Sequence, residues 1–173
     1  MPPLSEFVER VAAGGSDTIL GAYAAGHFAL RVVQQPTDNA AYISEAPDTL
    51  TEFGPARETE TVVLLAHNFL GGQHFAEMNS GASIALVYAD GSLQYLTVTH
   101  ARRFQALKPE SPYSDFIDLD TRQLLTSSEL AGEMYTQPGA VVLQTCIEAE
   151  GNREWGRLFV IARADSVPDR VGY

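Results

Sequence analysis

The chain has 173 residues, 45% hydrophobic and 19% charged, a composition that suits one globular domain with a substantial core and argues against disorder. Its 22 Asp and Glu outnumber 11 Lys and Arg, and a formal net charge of −11 argues against nucleic acid or anionic lipid as partners. A single cysteine rules out an internal disulfide, and no window approaches the ~20 consecutive apolar residues of a membrane span.

Leu4, Phe7, Val8 and Val11 fall at helical spacing, so residues 1–15 read as an N-terminal amphipathic helix ended by Gly14-Gly15. The segment has early acids and no long apolar run, so no signal peptide is expected. Strands are predicted over 18–23 and 27–34, on either side of a turn at Gly26. Residues 40–60 are weakly patterned, with a short strand near 41–44 and loop elsewhere. The run TVVLLA, 61–66, suits a strand covered on both faces and ends at His67. A Gly-containing loop with a helical turn near 74–78 follows. Strands at 83–88 and 93–107 flank Asp90-Gly91, a strong hairpin signal. From Lys108 to Pro138 the pattern is irregular, apart from a short helix capped at Ser127 or Ser128 and running to Tyr135. A connection of that length is more often functional than passive. Gly139 opens a final hairpin across VVLQTCIEAEGNREWGRLFVIA, residues 141–162. Many short strands, few helices and no βαβ alternation predict a mainly β, closed or nearly closed barrel.

The chemistry collects at strand ends. Cys146 ends the first strand of the last hairpin and Arg157 opens the second, which places thiol and guanidinium at the same end of the sheet. Cysteine acyl transfer needs a thiol, a proton carrier and a group that steadies the oxyanion. His67, directly after a buried strand and in a Gly-rich loop, is the preferred proton carrier over His27, His74 and His100. Arg157, at a strand start, is preferred over Arg153 in mid-loop. The plainer structural reading makes Cys146 a small core residue and pairs Arg157 with Glu148 or Glu150. His74 and Glu77 supply two metal-type ligands without a third.

Leu143-Gln144-Thr145-Cys146, followed one loop later by Arg157-Leu158-Phe159-Val160, resembles the active-site signature of sortases. Ala66-His67, Phe75, Gly81-Ala82-Ser83-Ile84 and Tyr95-Leu96-Thr97-Val98 resemble a second sortase block, in the right order. Val142 and Ala66 stand where the family often has Thr and Gly. The resemblance spans residues 18–163. It implies a closed eight-stranded sortase-like barrel within a single domain, 1–173, with the N-terminal helix at 1–15 and a C-terminal tail at 164–173. It also implies a cysteine transpeptidase: Cys146 attacks a carbonyl in a peptide sorting motif, His67 serves the leaving and incoming amines, and Arg157 steadies the oxyanion. Leu143, Thr145 and Arg153 are the expected substrate contacts. The partners are then a sorting-motif peptide and an amine acceptor, with no nucleic acid and no membrane span in this chain. No cofactor is expected. Some sortases bind calcium, for which Glu45, Asp48, Glu52, Glu58 and Glu60 are the candidate acids. The resemblance suggests the cell surface, while no signal peptide or anchor is expected from these residues, so localisation is left open. An inactive sortase-fold peptide-binding module and a soluble cysteine hydrolase stay open beside the transpeptidase.

Overall fold

A computed structural model describes residues 1–15 and 17–164; the expected C-terminal tail lies outside them, apart from Ala164. In chain order the elements are α1 (Leu4–Val11), β1 (Ile19–Ala24), β2 (Phe28–Gln34), β3 (Thr49–Glu52), β4 (Val62–Leu65), β5 (Ser83–Tyr88), β6 (Leu93–Ala106), β7 (Phe116–Asp118), β8 (Leu124–Leu125), α2 (Ser127–Tyr135), β9 (Ala140–Ala149) and β10 (Asn152–Arg163). Short 3-10 turns occupy Gly54–Thr59 and Gly71–Glu77.

Strand order is β10-β9-β4-β3-β2-β1-β5-β6, and β6 pairs back onto β10, closing an eight-stranded barrel. β7 and β8 extend the sheet from the far end of β6. Closure leaves these eight strands without an unpaired edge.

Side-chain alternation explains the core. Along β9, Val141 and Leu143 point into the barrel with Leu64, Leu158 and Val160. Ala140 and Val142 point outward into a second cluster with Val63, Phe159, Ile161, Phe104 and Phe116. Leu130 and Met134 of α2 cover that outer cluster. β4, β9 and β10 are therefore apolar on both faces, and their sequences run apolar without alternation. α1 covers another part of the barrel, with Phe7 and Val11 against Val87. A Cβ on Gly21 would lie 2.8 Å from the Phe7 ring, so glycine lets the helix approach.

Three expectations are corrected. The strand between β2 and β4 is Thr49–Glu52, whereas 41–44 is turn and irregular chain. α2 is capped at Thr126: its side chain accepts from the Glu129 N–H, while the Glu129 carboxylate accepts from the Thr126 N–H. This is a capping box one residue earlier than expected. The stretch 108–138 also contains β7 and β8. An ion pair anchors β7: Arg102 of β6 reaches Asp118 at 2.6 Å and, through its other nitrogen, Glu133 of α2 at 2.6 Å.

Candidate active site

The β9–β10 pairing sets Arg157 directly across from Cys146, and Phe159 across from Gln144. Cross-strand partners share a face, so these four side chains line the outer side of the barrel, in line with Val142. A register irregularity between Asn152 and Gly156 precedes Arg157. Gly156 sits there because any side chain would collide with the Phe104 carbonyl of β6.

On the other side of β9, β4 runs parallel, with Leu65 beside Gln144. The Ala66 N–H donates to the Gln144 carbonyl at 3.1 Å, and the buried Thr145 hydroxyl donates to the Ala66 carbonyl at 2.8 Å. The next residue is His67. The pairing of β4 with β9 ends at Leu65 and Gln144, so His67 follows the last paired residue of β4 by two positions, as Cys146 follows that of β9. The chain then turns out of the sheet, and the His67 carbonyl accepts from the N–H of Leu70 and of Gly72, each at 3.0 Å. His67 follows β4 by two residues, while Cys146 and Arg157 lie inside β9 and β10, which run on to Ala149 and start at Asn152. The expected placement of thiol and guanidinium at strand ends is corrected, because the two strands keep pairing beyond them.

The immediate surroundings of the three differ. Arg157 opens onto a cavity of about 250 Å³ walled by Phe116, Leu130, Tyr135, Gln144 and Phe159. Cys146 borders a second cavity of about 390 Å³ with Asn68, Gly72, Arg103, Glu148 and Leu158. His67 borders a third, of about 400 Å³, with Tyr42, Ile43 and Glu45. The thiol is half-buried. Burial pushes it above the ordinary thiol range; the Arg157 charge pulls it down, and Glu154 adds to the rise.

One guanidinium nitrogen of Arg157 donates to the carbonyls of Glu154 at 2.9 Å and Gly156 at 3.0 Å, and the group lies 5.9 Å from the Phe116 ring centre. Among the described residues it forms no ion pair with Glu148 or Glu150. Arg157 also lines the cavity of Phe116 and Phe159. Arg153 lies elsewhere, 5.0 Å over the Phe69 ring. Of the two arginines, Arg157 is the one directly across from Cys146.

Leu143 is fully buried and points into the barrel, so it is withdrawn from substrate contact. Thr145 is 5% exposed and its hydroxyl is taken by Ala66. Leu143 packs in the barrel core, while Thr145 lines the same cavity as Cys146 with its hydroxyl engaged by the Ala66 carbonyl. Of the acids considered for calcium, Glu52 is buried and paired with Arg57 at 2.7 Å. Among the described residues no group of three His, Cys, Asp or Glu converges as a metal site.

Sequence reasoning missed Tyr135. Its hydroxyl donates to Gln144 Oε1, and burial pushes it up to about 12, with Gln144 and Arg157 opposing and Cys146 adding to the rise. It is a protonated donor at any working pH. Gln144 carried the available signal, as the polar residue that interrupts an otherwise apolar outward row.

No family model matches the chain, and no curated protein matches it in sequence. Solved structures do match. Sortase A of Listeria monocytogenes superposes with a TM-score of 0.53 at 13% identity, over 87% of this chain and 89% of that one. Sortase A of Corynebacterium diphtheriae gives 0.53 at 14%, over 89% and 64%. A sortase D5 transpeptidase of Clostridium perfringens gives 0.50 at 11%, over 94% and 88%. The chain has the sortase fold: mainly β, with a closed eight-stranded barrel, an N-terminal helix and short helices in its loops. No helix among the described residues is long and apolar enough to cross a membrane.

Proposed function

We propose that the chain is a cysteine transpeptidase that cleaves a peptide and passes its acyl part to an amine. The observation that carries this reading is the pairing of Arg157 directly across from Cys146, with β4, which ends two residues before His67, on the other flank of β9.

The Cys146 thiolate attacks a peptide carbonyl carbon, a C–S bond forms, and the carbonyl oxygen takes the negative charge. Arg157, charged at every working pH, donates hydrogen bonds to that oxygen or to the adjacent peptide carbonyl. The tetrahedral species collapses, the C–N bond breaks, and His67 gives a proton to the departing amine. The thioester on Cys146 then meets an incoming amine. His67 takes its proton, a new amide bond forms and the C–S bond breaks, returning the Cys146 thiolate and the protonated His67 with which the cycle began. Water in place of the amine yields a hydrolase.

The aromatic and aliphatic walls of the Arg157 cavity suit a peptide with an apolar side chain on the acyl side. A pool of peptides with apolar residues, incubated with and without an oligoglycine amine, tests the reading by mass. Wild type should release a fragment and join the other to the amine; Cys146→Ala and His67→Ala should do neither, and Arg157→Ala should do so much more slowly. Undiminished cleavage by Cys146→Ala would end the proposal.

A second reading is a peptide-binding module on this fold, and the half-buried, upward-shifted thiol favours it. It requires peptide binding without a covalent adduct, equally in wild type and in Cys146→Ala.

A further inference from the structure

We infer that Phe69 is the positioning residue of His67, and that Arg153 acts on the site through it. This rests on the reading of His67 as the proton carrier.

Phe69 is 51% exposed, on the turn that follows β4, so core packing does not hold it there. Two contacts do. Its ring stacks on the His67 imidazole with centres 5.3 Å apart and planes 23° from parallel. The Arg153 guanidinium lies 5.0 Å from the same ring's centre. Arg153 is the second residue of β10, the strand paired with the thiol strand. A third contact ties the turn after β4 to the same residue: Asn68 Nδ2 donates to the Arg153 carbonyl at 2.9 Å.

A catalytic imidazole needs a fixed ring plane, and a hydrogen bond from its distal nitrogen is the usual means. Among the described residues no hydrogen bond holds either ring nitrogen of His67. The stacked phenyl ring is the restraint present. A flat neighbour limits rotation of the imidazole about its last side-chain bond and leaves both nitrogens open, as a group must be that donates to one amine and accepts from the next. The cation on Phe69 holds the phenyl ring against the start of β10. The chain of contacts Arg153–Phe69–His67 therefore joins the turn after β4 to the start of β10, the strands that flank β9.

The test uses Phe69→Leu, Phe69→Trp and Arg153→Gln in the full chain, with two readouts. The first is the NMR shift of the His67 ring protons, which a stacked aromatic displaces upfield whether or not any peptide is turned over. The second is kcat and KM, measured separately. Phe69→Leu should abolish the upfield displacement and lower kcat about tenfold with KM unchanged, because the proton carrier is present but loosely aimed. Phe69→Trp should restore both. Arg153→Gln should shrink the displacement partway. Identical His67 shifts in wild type and Phe69→Leu would overturn the inference, and so would a kcat loss that Trp fails to rescue. If wild type turns over no peptide, the transpeptidase reading fails, and the ring-proton shifts still decide whether Phe69 positions His67.

Discussion

Replacing Thr145 by Val removes one hydrogen-bond donor while keeping the side chain's shape. The Thr145 hydroxyl, pointing away from the thiol, donates to the Ala66 carbonyl at 2.8 Å, and both residues are buried. Gly72 closes the space around it: a Cβ there would overlap the hydroxyl and stand 2.8 Å from the His67 carbonyl. Ala66 is only 4% exposed, so its carbonyl has little access to water in place of the lost donor. Leaving a buried carbonyl without this partner costs about 1–3 kcal/mol. A domain stable by roughly 5–15 kcal/mol still folds after that loss. At roughly 2–4 °C per kcal/mol for a chain of this size, the melting temperature should fall by roughly 2–12 °C. Thr145→Ser keeps the donor and loses one methyl, about 0.8 kcal/mol. Circular dichroism melts of the three proteins at one pH measure both effects. The bond also pins the corner that leads into His67, so turnover should fall more in Val than in Ser. If Val were as stable as wild type and Ser less stable, packing and not the hydrogen bond would hold this corner, and the reasoning would fail.

Further outcomes concern charge. Iodoacetamide should alkylate Cys146 slowly at neutral pH, with the rate still climbing above the ordinary thiol range, since the buried thiol is shifted up. Arg157→Gln removes the opposing charge and should push that rise to higher pH; Glu154→Gln should move it to lower pH, and unchanged profiles in both would remove the electrostatic role of Arg157. At the groove wall, burial alone would raise the Asp118 carboxyl, but the Arg102 guanidinium and the backbone N–H groups of Thr121 and Asp120 outweigh it and hold it below the usual carboxylate range. The stabilisation is thus fully present above the unfolded value of about 4 and is lost as pH falls through the lower folded value. Asp118 is only 2% exposed in its side chain, so Arg102→Leu should cost about 3 kcal/mol at neutral pH. That deficit against wild type should narrow in melts below about pH 4; a constant deficit would assign it to packing of Arg102 on Phe104 instead.

The last hairpin was legible in the sequence because β9 and β10 are apolar on both faces and a polar, Gly-containing loop separates them. The pairing of Cys146 with Arg157 was expected across a loop between them, whereas both strands run on past the pair to Ala149 and Asn152, and a register irregularity between Asn152 and Gly156 sets which residues face each other. The face each motif residue takes was not legible. Leu143 and Thr145 belong to the same motif as Cys146, yet strand alternation sends them inward, and a motif match carries no parity. β3 escaped notice because TLTE is short and half polar; Glu52 is buried there through Arg57, a partner five residues on. β7 and β8 escaped because Arg102 and α2 hold them in place, whereas their own periodicity is too short to show. Tyr135 and Phe69 needed coordinates: one reaches Gln144 across the groove, and the other is an exposed aromatic whose neighbours alone give it a purpose.

The most direct measurement is the intact mass of the protein after exposure to the apolar-residue peptide pool without an amine acceptor. Wild type should gain the mass of one acyl fragment, hydroxylamine should remove it as expected for a thioester, and Cys146→Ala should gain nothing. An adduct of equal yield on Cys146→Ala, or cleavage by wild type at a rate that Cys146→Ala matches, would contradict acyl transfer through this thiol.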